Sequence, residues 1–329
     1  MLLREVHIPC LYSELPQAEE SRPLYYSSVE RVLQDALRNC VLLMDDRRTI
    51  LSQVESALES WPGAYRKRAK ELLRQLSKRK RLIYTHADSG DRGVAGHTGC
   101  RMALRLADRQ KPEMLLCPKA CPSCVESGPE GIHLDEYEQS SFCEERRQGE
   151  AVQLQDREWR RDQFEDRVLN PLFRDAKHVK IFDAHIGRTV LSDPDAPRLL
   201  DTYSNTLTWI VACFADMTRG RQGRTFEITC GVDERKGMDI VHVAVELLEQ
   251  FAQQMSSRYD CPISMIVKLE GKGGHMPHDR YLFTDQIALH VSRGFDLLNW
   301  NGTLRDVSIF LVPNRGAIEE GIRRLPDAR

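Results

Sequence analysis

Short apolar runs that end in an acid, separated by stretches of helical periodicity, constrain this chain more than any other feature. Residues 40–44, Cys-Val-Leu-Leu-Met, are unbroken apolar and lead into Asp45 and Asp46. A run that short suits a strand buried on both faces, as in a parallel sheet covered by helices. Further strands are expected at residues 81–85, which lead toward Asp88, and at residues 179–182, which lead into Asp183. A short strand at 5–9 opens the chain. Between the strands the spacing predicts a helix over 28–39, started by the capping-box order Ser27-Ser28-Val29-Glu30. Helices over 49–60 and 63–79 follow, parted by Trp61-Pro62-Gly63. In the second half a helix is expected over 196–214, then a strand over 225–230. A long amphipathic helix over 238–258 puts Ile240, Val241, Ala244, Leu247, Leu248 and Phe251 on one face. A strand at 262–268 and β segments at 281–292 and 307–312 complete it. The expected fold class is α/β, with two α/β domains.

A chain of 329 residues suits two domains. The expected division is an α/β domain over 1–150, a helical connector over 151–170 and a second domain over 171–329. Within the first, residues 89–150 are rich in Gly, Pro and Cys and poor in periodicity, which reads as a metal-stapled insertion or a long functional loop. Hydrophobic residues at 41% and charged residues at 29% exclude disordered, collagen-like and coiled-coil chains. With 47 Lys and Arg against 49 Asp and Glu, a globally basic nucleic-acid binder is excluded and a local basic face is not. No apolar run reaches the roughly 18–20 residues that span a bilayer. Ten cysteines dispersed along the chain, without a secretory signal in the opening residues, point to a reduced, cytoplasmic setting with one metal cluster.

The most specific constellation is His278-Asp279-Arg280 followed by Asp285, a His-x-Arg-x4-Asp spacing. On a strand, residues i and i+2 share a face, so His278 and Arg280 are expected to point into one pocket. A neutral imidazole can attack phosphorus, and a fixed cation beside it can hold phosphate oxygens. Asp285 is expected to orient an imidazole. Asp183 and His185 lie on one side of a strand end, with two readings open. They either join His278 and Arg280 or form a hydrogen-bonded pair that closes the strand. Asp296 reads equally well as a structural turn acid. Glu270 and Lys272 are phosphate contacts or part of an exposed Gly-rich loop.

This spacing resembles the His-x-Lys-x4-Asp of the phospholipase D superfamily, with Arg280 where a lysine stands. Residues 181–188, Ile-Phe-Asp-Ala-His-Ile-Gly-Arg, then Pro277-His-Asp-Arg280 and Val291-Ser-Arg-Gly-Phe-Asp296 sharpen it. Together they resemble the C-terminal phospholipase-D-like domain that follows microtubule-interacting-and-trafficking modules. That family reads Asp-Pro-Tyr-Ile, then His-Asp-Arg, then Gly-Arg-Gly-Leu-Asp. The resemblance covers residues 178–315. It implies a mixed sheet flanked by helices, and a homodimer. Active single-motif members of the wider superfamily set two histidines across a dimer axis, one attacking and one protonating the leaving group. Carried over, His278 is the nucleophile of a nuclease, Arg280 the phosphate clamp, and Asp285, His185 and Asp183 the supporting groups. The trafficking-type domains bind rather than cut, which implies the alternative of a dimerising assembly subunit that docks a protein partner or an anionic head group.

Three further candidates lie in the first half. Cys117, Cys121 and Cys124 have C-x3-C-x2-C spacing, and three thiolates with one more ligand hold structural Zn²⁺. His97 and Cys100, at knuckle spacing, are candidates for that ligand, as are His133 and Cys143. The other reading is a set of free thiols or a redox pair. Cys10, Cys40, Cys213, Cys230 and Cys261 read as small core residues. Asp45, Asp46 and Asp88, at strand ends, are candidate Mg²⁺ ligands of a PIN-like nuclease, or ordinary turn acids. Residues 66–81 carry Arg66, Lys67, Arg68, Lys70, Arg74, Lys78, Arg79, Lys80 and Arg81 against a single acid, Glu71. With Ala69, Leu72, Leu73 and Leu76 buried, the opposite face is a cationic surface for DNA or RNA phosphates, or a solvated face balanced by the acidic stretch 126–166. A nuclease half and a cationic helix together fit antiviral defence or a mobile element.

Overall fold

The computed structural model describes residues 3–8, 11, 18–85, 114–117, 130–141, 143–144, 151–190, 199–270 and 276–328. The chain divides into two compact units, Leu3–Gly149 and Glu150–Arg329.

The first unit is built on a parallel sheet. Strands β1 (Arg4–His7), β2 (Cys40–Asp45), β3 (Leu82–Thr85), β4 (Met114–Cys117) and β5 (Glu130–His133) lie in the order β3-β2-β1-β4-β5, every pairing parallel. Helix α1 (Arg22–Asn39) connects β1 to β2, and α2 (Thr49–Glu59) and α3 (Gly63–Lys78) connect β2 to β3. Every residue of β2 is buried, as its apolar run requires. The core gathers Val29, Leu33, Met44, Val54, Leu58, Leu76 and Trp61.

Two expectations are corrected here. Helix α1 begins at Arg22, five residues before the capping-box order, and Ser27 lies inside it with its hydroxyl donating to the Pro23 carbonyl at 3.0 Å. Pro23 sits in the first turn, where its fixed φ is already helical. The extra turn seats Tyr25 and Tyr26 against Trp61. Within the stretch 89–150, expected as an insertion or a long loop, residues 114–117 and 130–133 supply β4 and β5 to the same sheet.

The second unit holds a mixed sheet flanked by helices. Its order is β6-β12-β11-β10-β7-β8-β9. These strands are β6 (Ala151–Leu154), β7 (His178–Phe182), β8 (Thr225–Asp233), β9 (Ile263–Glu270), β10 (Tyr281–Thr284), β11 (Ala288–Val291) and β12 (Val307–Leu311). The trio β7-β8-β9 is parallel and the other pairings are antiparallel. The helices are α4 (Arg161–Phe164) and α5 (Asn170–Phe173), joined by a π turn at Glu165–Leu169, then α6 (Ala184–Val190), α7 (Asp201–Met217), α8 (Met238–Tyr259) and α9 (Arg315–Arg323). One face of the sheet receives an aromatic chain, Phe173–Phe214–Phe226, with centroids 5.6 Å apart at both steps. The other face carries a smaller core of Phe182, Tyr281, Phe283, Met276 and Ile322, the last from α9. No helix among the described residues is long and apolar enough to cross a membrane.

Residues 151–170 are not a helical connector. Ala151–Leu154 pair with β12, and Phe164, Val168 and Leu169 are buried. The acidic residues of this stretch mask an apolar stripe that tertiary packing consumes. The segment 281–292 is a hairpin rather than one strand, turned by Thr284, whose hydroxyl oxygen accepts from the Gln286 and Ile287 N–H groups at 3.2 Å each.

Arg81 belongs to this scaffold, not to a nucleic-acid surface. It is 3% exposed, and its guanidinium donates to the Ala36, Arg38 and Cys40 carbonyls at 3.3, 2.9 and 3.0 Å. It caps the C-terminus of α1, where a cation also meets the negative end of the helix dipole. Burial pulls its pKa down to about 10. Arg81→Met is expected to cost the first unit about 3 kcal/mol, because three carbonyls lose a charged donor. Exposed Lys67→Ala should change it by less than about 0.5 kcal/mol. Amide hydrogen exchange in β2 measures both.

Candidate active site

Parallel strands β7, β8 and β9 run in the same direction, so their carboxyl ends face one edge of the sheet, where ligands collect in open α/β sheets. Asp183 follows β7 directly, Asp233 ends β8 and Glu270 ends β9. Strand β10 runs antiparallel to β7, with Tyr281 opposite Phe182, so the segment that leads into β10 arrives at this same edge. That segment carries His278 and Arg280. It precedes the strand rather than forming part of it.

Close packing brings these pieces together. Gly187 of α6 lies against the Gly231 carbonyl of β8 with no room for a Cβ. Gly231 in turn leaves no room beside the Met276 sulfur, and the site of its absent Cβ is 3.5 Å from the Ala184 carbonyl oxygen. Met276 and Ala184 therefore share one glycine, and the 276–280 segment lies beside the start of α6.

Asp183 is the hub. It is fully buried, and its two carboxylate oxygens accept from the His185 N–H at 2.9 Å and the Phe295 N–H at 3.0 Å. Arg280 Nε stands 3.8 Å from it. Burial pushes the Asp183 carboxyl up, against the opposing pull of those two N–H groups and of Arg280. Arg280 Nη1 donates to the Ser292 carbonyl at 3.0 Å, and its Nε is buried without a hydrogen-bond acceptor. Gly294, at φ +89°, packs against both side chains, and a Cβ there would meet the Asp183 carboxylate and Arg280 Cγ. The β11 exit, the β10 entry and the end of β7 are thus tied at one point.

Around this hub His278 is exposed, while His185 and Arg280 are partly buried. His185 and Arg188 are three apart on α6 and share a face. Arg188 holds Glu270 through two hydrogen bonds, at 3.0 and 2.5 Å. Burial lowers the His185 pKa, and Arg280, Arg188 and His278 lower it further, with Glu270 opposing. The His185 N–H closes the strand end on Asp183, and Arg280 stands beside the same carboxylate.

Asp285 does not belong to this group. Its carboxylate accepts from the Lys177 and His178 N–H groups at 2.6 and 2.8 Å, at the opposite end of β7. Strand β10 separates it from Arg280 by roughly 15 Å of extended backbone, so it cannot orient His278. Asp296 is a structural acid that accepts from Arg293 at 3.2 Å and Arg305 at 3.0 Å. Glu270 is committed to Arg188, and Lys272 lies outside the described residues. Sequence reasoning missed Tyr203 of α7, whose hydroxyl burial pushes upward and to which Asp183 and Asp296 add. It also assigned no role to Arg188, although the spacing from His185 was a legible signal.

In the first unit the cationic helix is largely paired. Arg66 and Lys70 meet Glu59, Arg68 meets Glu30 at 3.3 Å, and Arg74 meets Glu71 at 2.8 Å. Arg79 donates to the Leu37 carbonyl at 3.3 Å. Among the described residues, Lys67, Lys78 and Lys80 are exposed without such partners. Asp45 is not poised for Mg²⁺, because its two oxygens accept from the Thr49 and Ile50 N–H groups at 2.9 and 2.7 Å and cap α2. Asp46 is exposed, and Asp88 lies outside the described residues. Of the thiolate cluster, His97, Cys100, Cys121 and Cys124 lie outside them too. The backbone register sets Cys117 beside His133 at the ends of β4 and β5. Cys143 is in the core. Among the described residues no group of three or more His, Cys, Asp or Glu side chains is placed to hold a metal ion. Cys40, Cys230 and Cys261 are buried free thiols and Cys213 a partly buried one, with Cys230 pushed by burial up to about 12. No family model matches this chain, and no curated protein matches it.

Two outcomes test this geometry. Gly294→Ala forces a Cβ into the Asp183 hub at a left-handed φ and is expected to cost about 2–4 kcal/mol in urea unfolding of the full chain. His185 should titrate below its ordinary 6.5 in a pH series of imidazole NMR spectra. Between the lowered folded pKa and 6.5 the unfolded chain binds more protons, so His185 makes stability fall as pH drops through that window.

Proposed function

We propose that the second unit is a phospholipase-D-like domain that acts on nucleic-acid phosphodiesters. The observation that carries this reading is the Arg280 guanidinium. One nitrogen is held by Ser292, Nε is buried without a hydrogen-bond acceptor beside Asp183, and the Arg280 charge bears on the His185 imidazole at the carboxyl edge of a parallel sheet. A guanidinium so fixed presents donors in the plane that phosphate oxygens prefer. The neighbouring imidazole supplies a nucleophile that needs no metal. The exposed Lys67, Lys78 and Lys80 of the first unit add a sequence-independent attraction for a polyanion.

A second reading, a non-catalytic assembly subunit that dimerises and docks a protein partner or an anionic head group, is favoured by one observation. Arg280 is braced by Ser292, Asp183 and Gly294, which suits a structural clip as well as a clamp.

One assay separates them. Labelled single- and double-stranded DNA and RNA are incubated with the full chain, with and without EDTA. Cleavage that survives EDTA and is lost in His278→Ala supports the hydrolase. Arg280→Gln should lower affinity for the same strands at least about tenfold in fluorescence anisotropy. Dimerisation with no cleavage and no strand binding leaves the assembly role.

The thiolates of the first unit are proposed to hold one structural Zn²⁺, with Cys117, Cys121 and Cys124 as ligands and His97 or Cys100 completing the set. Elemental analysis should find about one zinc per chain, reduced in Cys121→Ser. A zinc-free wild type refutes this.

A further inference from the structure

We propose that the second unit carries a small-molecule site beneath α9, on the sheet face that holds Phe182 and Phe283, and that this site takes a single-chain amphiphilic carboxylate. Helix α9 crosses that face without filling the space under it. A cavity of about 320 Å³ is left between the helix and strands β7, β8, β9 and β10. That is room for roughly ten waters, at the lower end of the range for ligand pockets. The helix is held at its two ends. At the first, Arg315 donates to the Thr284 carbonyl and lies over the Phe283 ring at 5.9 Å. At the second, residues 326–328 run antiparallel to β9. The Leu269 N–H donates to the Pro326 carbonyl at 2.8 Å, and the Ala328 N–H donates to the Val267 carbonyl at 2.9 Å. Packing between those ends is thin, and Ile322 is the α9 residue that is buried.

The walls divide by chemistry. Phe182, Phe283, Ile266 and Ile322 supply an apolar part, and Ile266 stays partly exposed in mid-strand because the cavity lies over it. Lys268 supplies a polar end. It is 7% exposed, and among the described residues its ammonium finds two acceptors, the Leu325 carbonyl at 3.0 Å and an Asp327 carboxylate oxygen at 2.7 Å. An ammonium carries three donors, so one is left at the cavity wall. A buried charged donor gains most from an anionic acceptor. The acids on the same walls are already taken. Glu227 faces Lys180 at 3.4 Å, Glu319 binds Arg315 at 2.9 Å, and Glu320 binds Arg324 at 2.9 Å and also Arg323. With Asp327 these make four acids, against the five cations Lys180, Lys268, Arg315, Arg323 and Arg324. One added negative charge balances the set. An apolar chain against the phenyl rings and isoleucines, with its carboxylate on Lys268, suits both walls. The site does not depend on the phosphodiesterase reading.

The full chain is tested by isoleucine methyl NMR, with octanoate as the probe and octan-1-ol as its uncharged counterpart. Octanoate should shift the Ile266 and Ile322 methyl signals to saturation and leave Ile50, in the core of the first unit, unmoved. Octan-1-ol should bind at least about tenfold more weakly, the worth of one charge-assisted hydrogen bond. Lys268→Met should remove that preference for the carboxylate. Ile266→Trp, which fills the cavity, should lose both probes as read at Ile322, while the signals of the first unit keep their positions. Where Lys268→Met loosens residues 326–328, the two probes on the wild type and Ile266→Trp decide alone. Equal affinity for the two probes, a carboxylate preference kept in Lys268→Met, or binding kept in Ile266→Trp overturns the proposal. So do shifts spread over both units, or no shift below the concentration at which octanoate self-associates.

Discussion

A buried carboxylate at the end of one strand governs the second unit. Asp183 is sealed from water, and a group in that position is tolerated only when its oxygens are occupied. They are occupied by backbone N–H groups from two separate segments, the start of α6 and the exit of β11, with the Arg280 side chain alongside. Loss of any one partner leaves charge or hydrogen-bonding capacity stranded in a low-dielectric interior. The same requirement that closes the fold therefore anchors the His185 backbone and the Arg280 side chain on one carboxylate. Stability and the candidate chemistry share an anchor.

Glycine makes the convergence physically available. Gly187, Gly231 and Gly294 remove three side chains where backbone and side chain must touch, and only Gly294 also needs its left-handed φ. The first two let α6 and the β10 entry press on β8. The third lets the β11 exit cross Asp183 and Arg280. Larger residues at these positions would push α6 from β8, Met276 from β8, and the β11 exit from Asp183 and Arg280.

Both units reuse a strand followed by aspartate, and the outcome differs with what comes next. Asp45 meets the free N–H groups of α2 and becomes its cap. Asp183 meets one N–H locally and spends its second oxygen on a residue over a hundred positions away. Positive charge divides in a similar way. Arg81 turns inward to three carbonyls at the end of α1, whereas Lys67 and Lys78, on the same cationic run, stay at the surface. Position relative to the α1 terminus, not residue type, separates them.

Periodicity and apolar runs were sufficient to reveal the α/β character, the buried strand 40–45, the helices at 49–59 and 63–78, and the long helix from 238, because those patterns are local. The pairing of His278 with Arg280, and the acid after Phe182, were legible as residue types suited to phosphate chemistry. Strand order was not legible, since β4 and β5 sit in a stretch with little periodicity and join the sheet through neighbours far along the chain. Nor was the fate of Asp285, which the motif spacing assigns to the histidine and the antiparallel pairing of β10 with β7 carries to the far end of the sheet. Sequence alone determined which side chains with the right chemistry exist and which local elements carry them. Only the tertiary structure decided which of them meet, because the meeting depends on strand register and on where a buried carboxylate finds its hydrogen-bond donors.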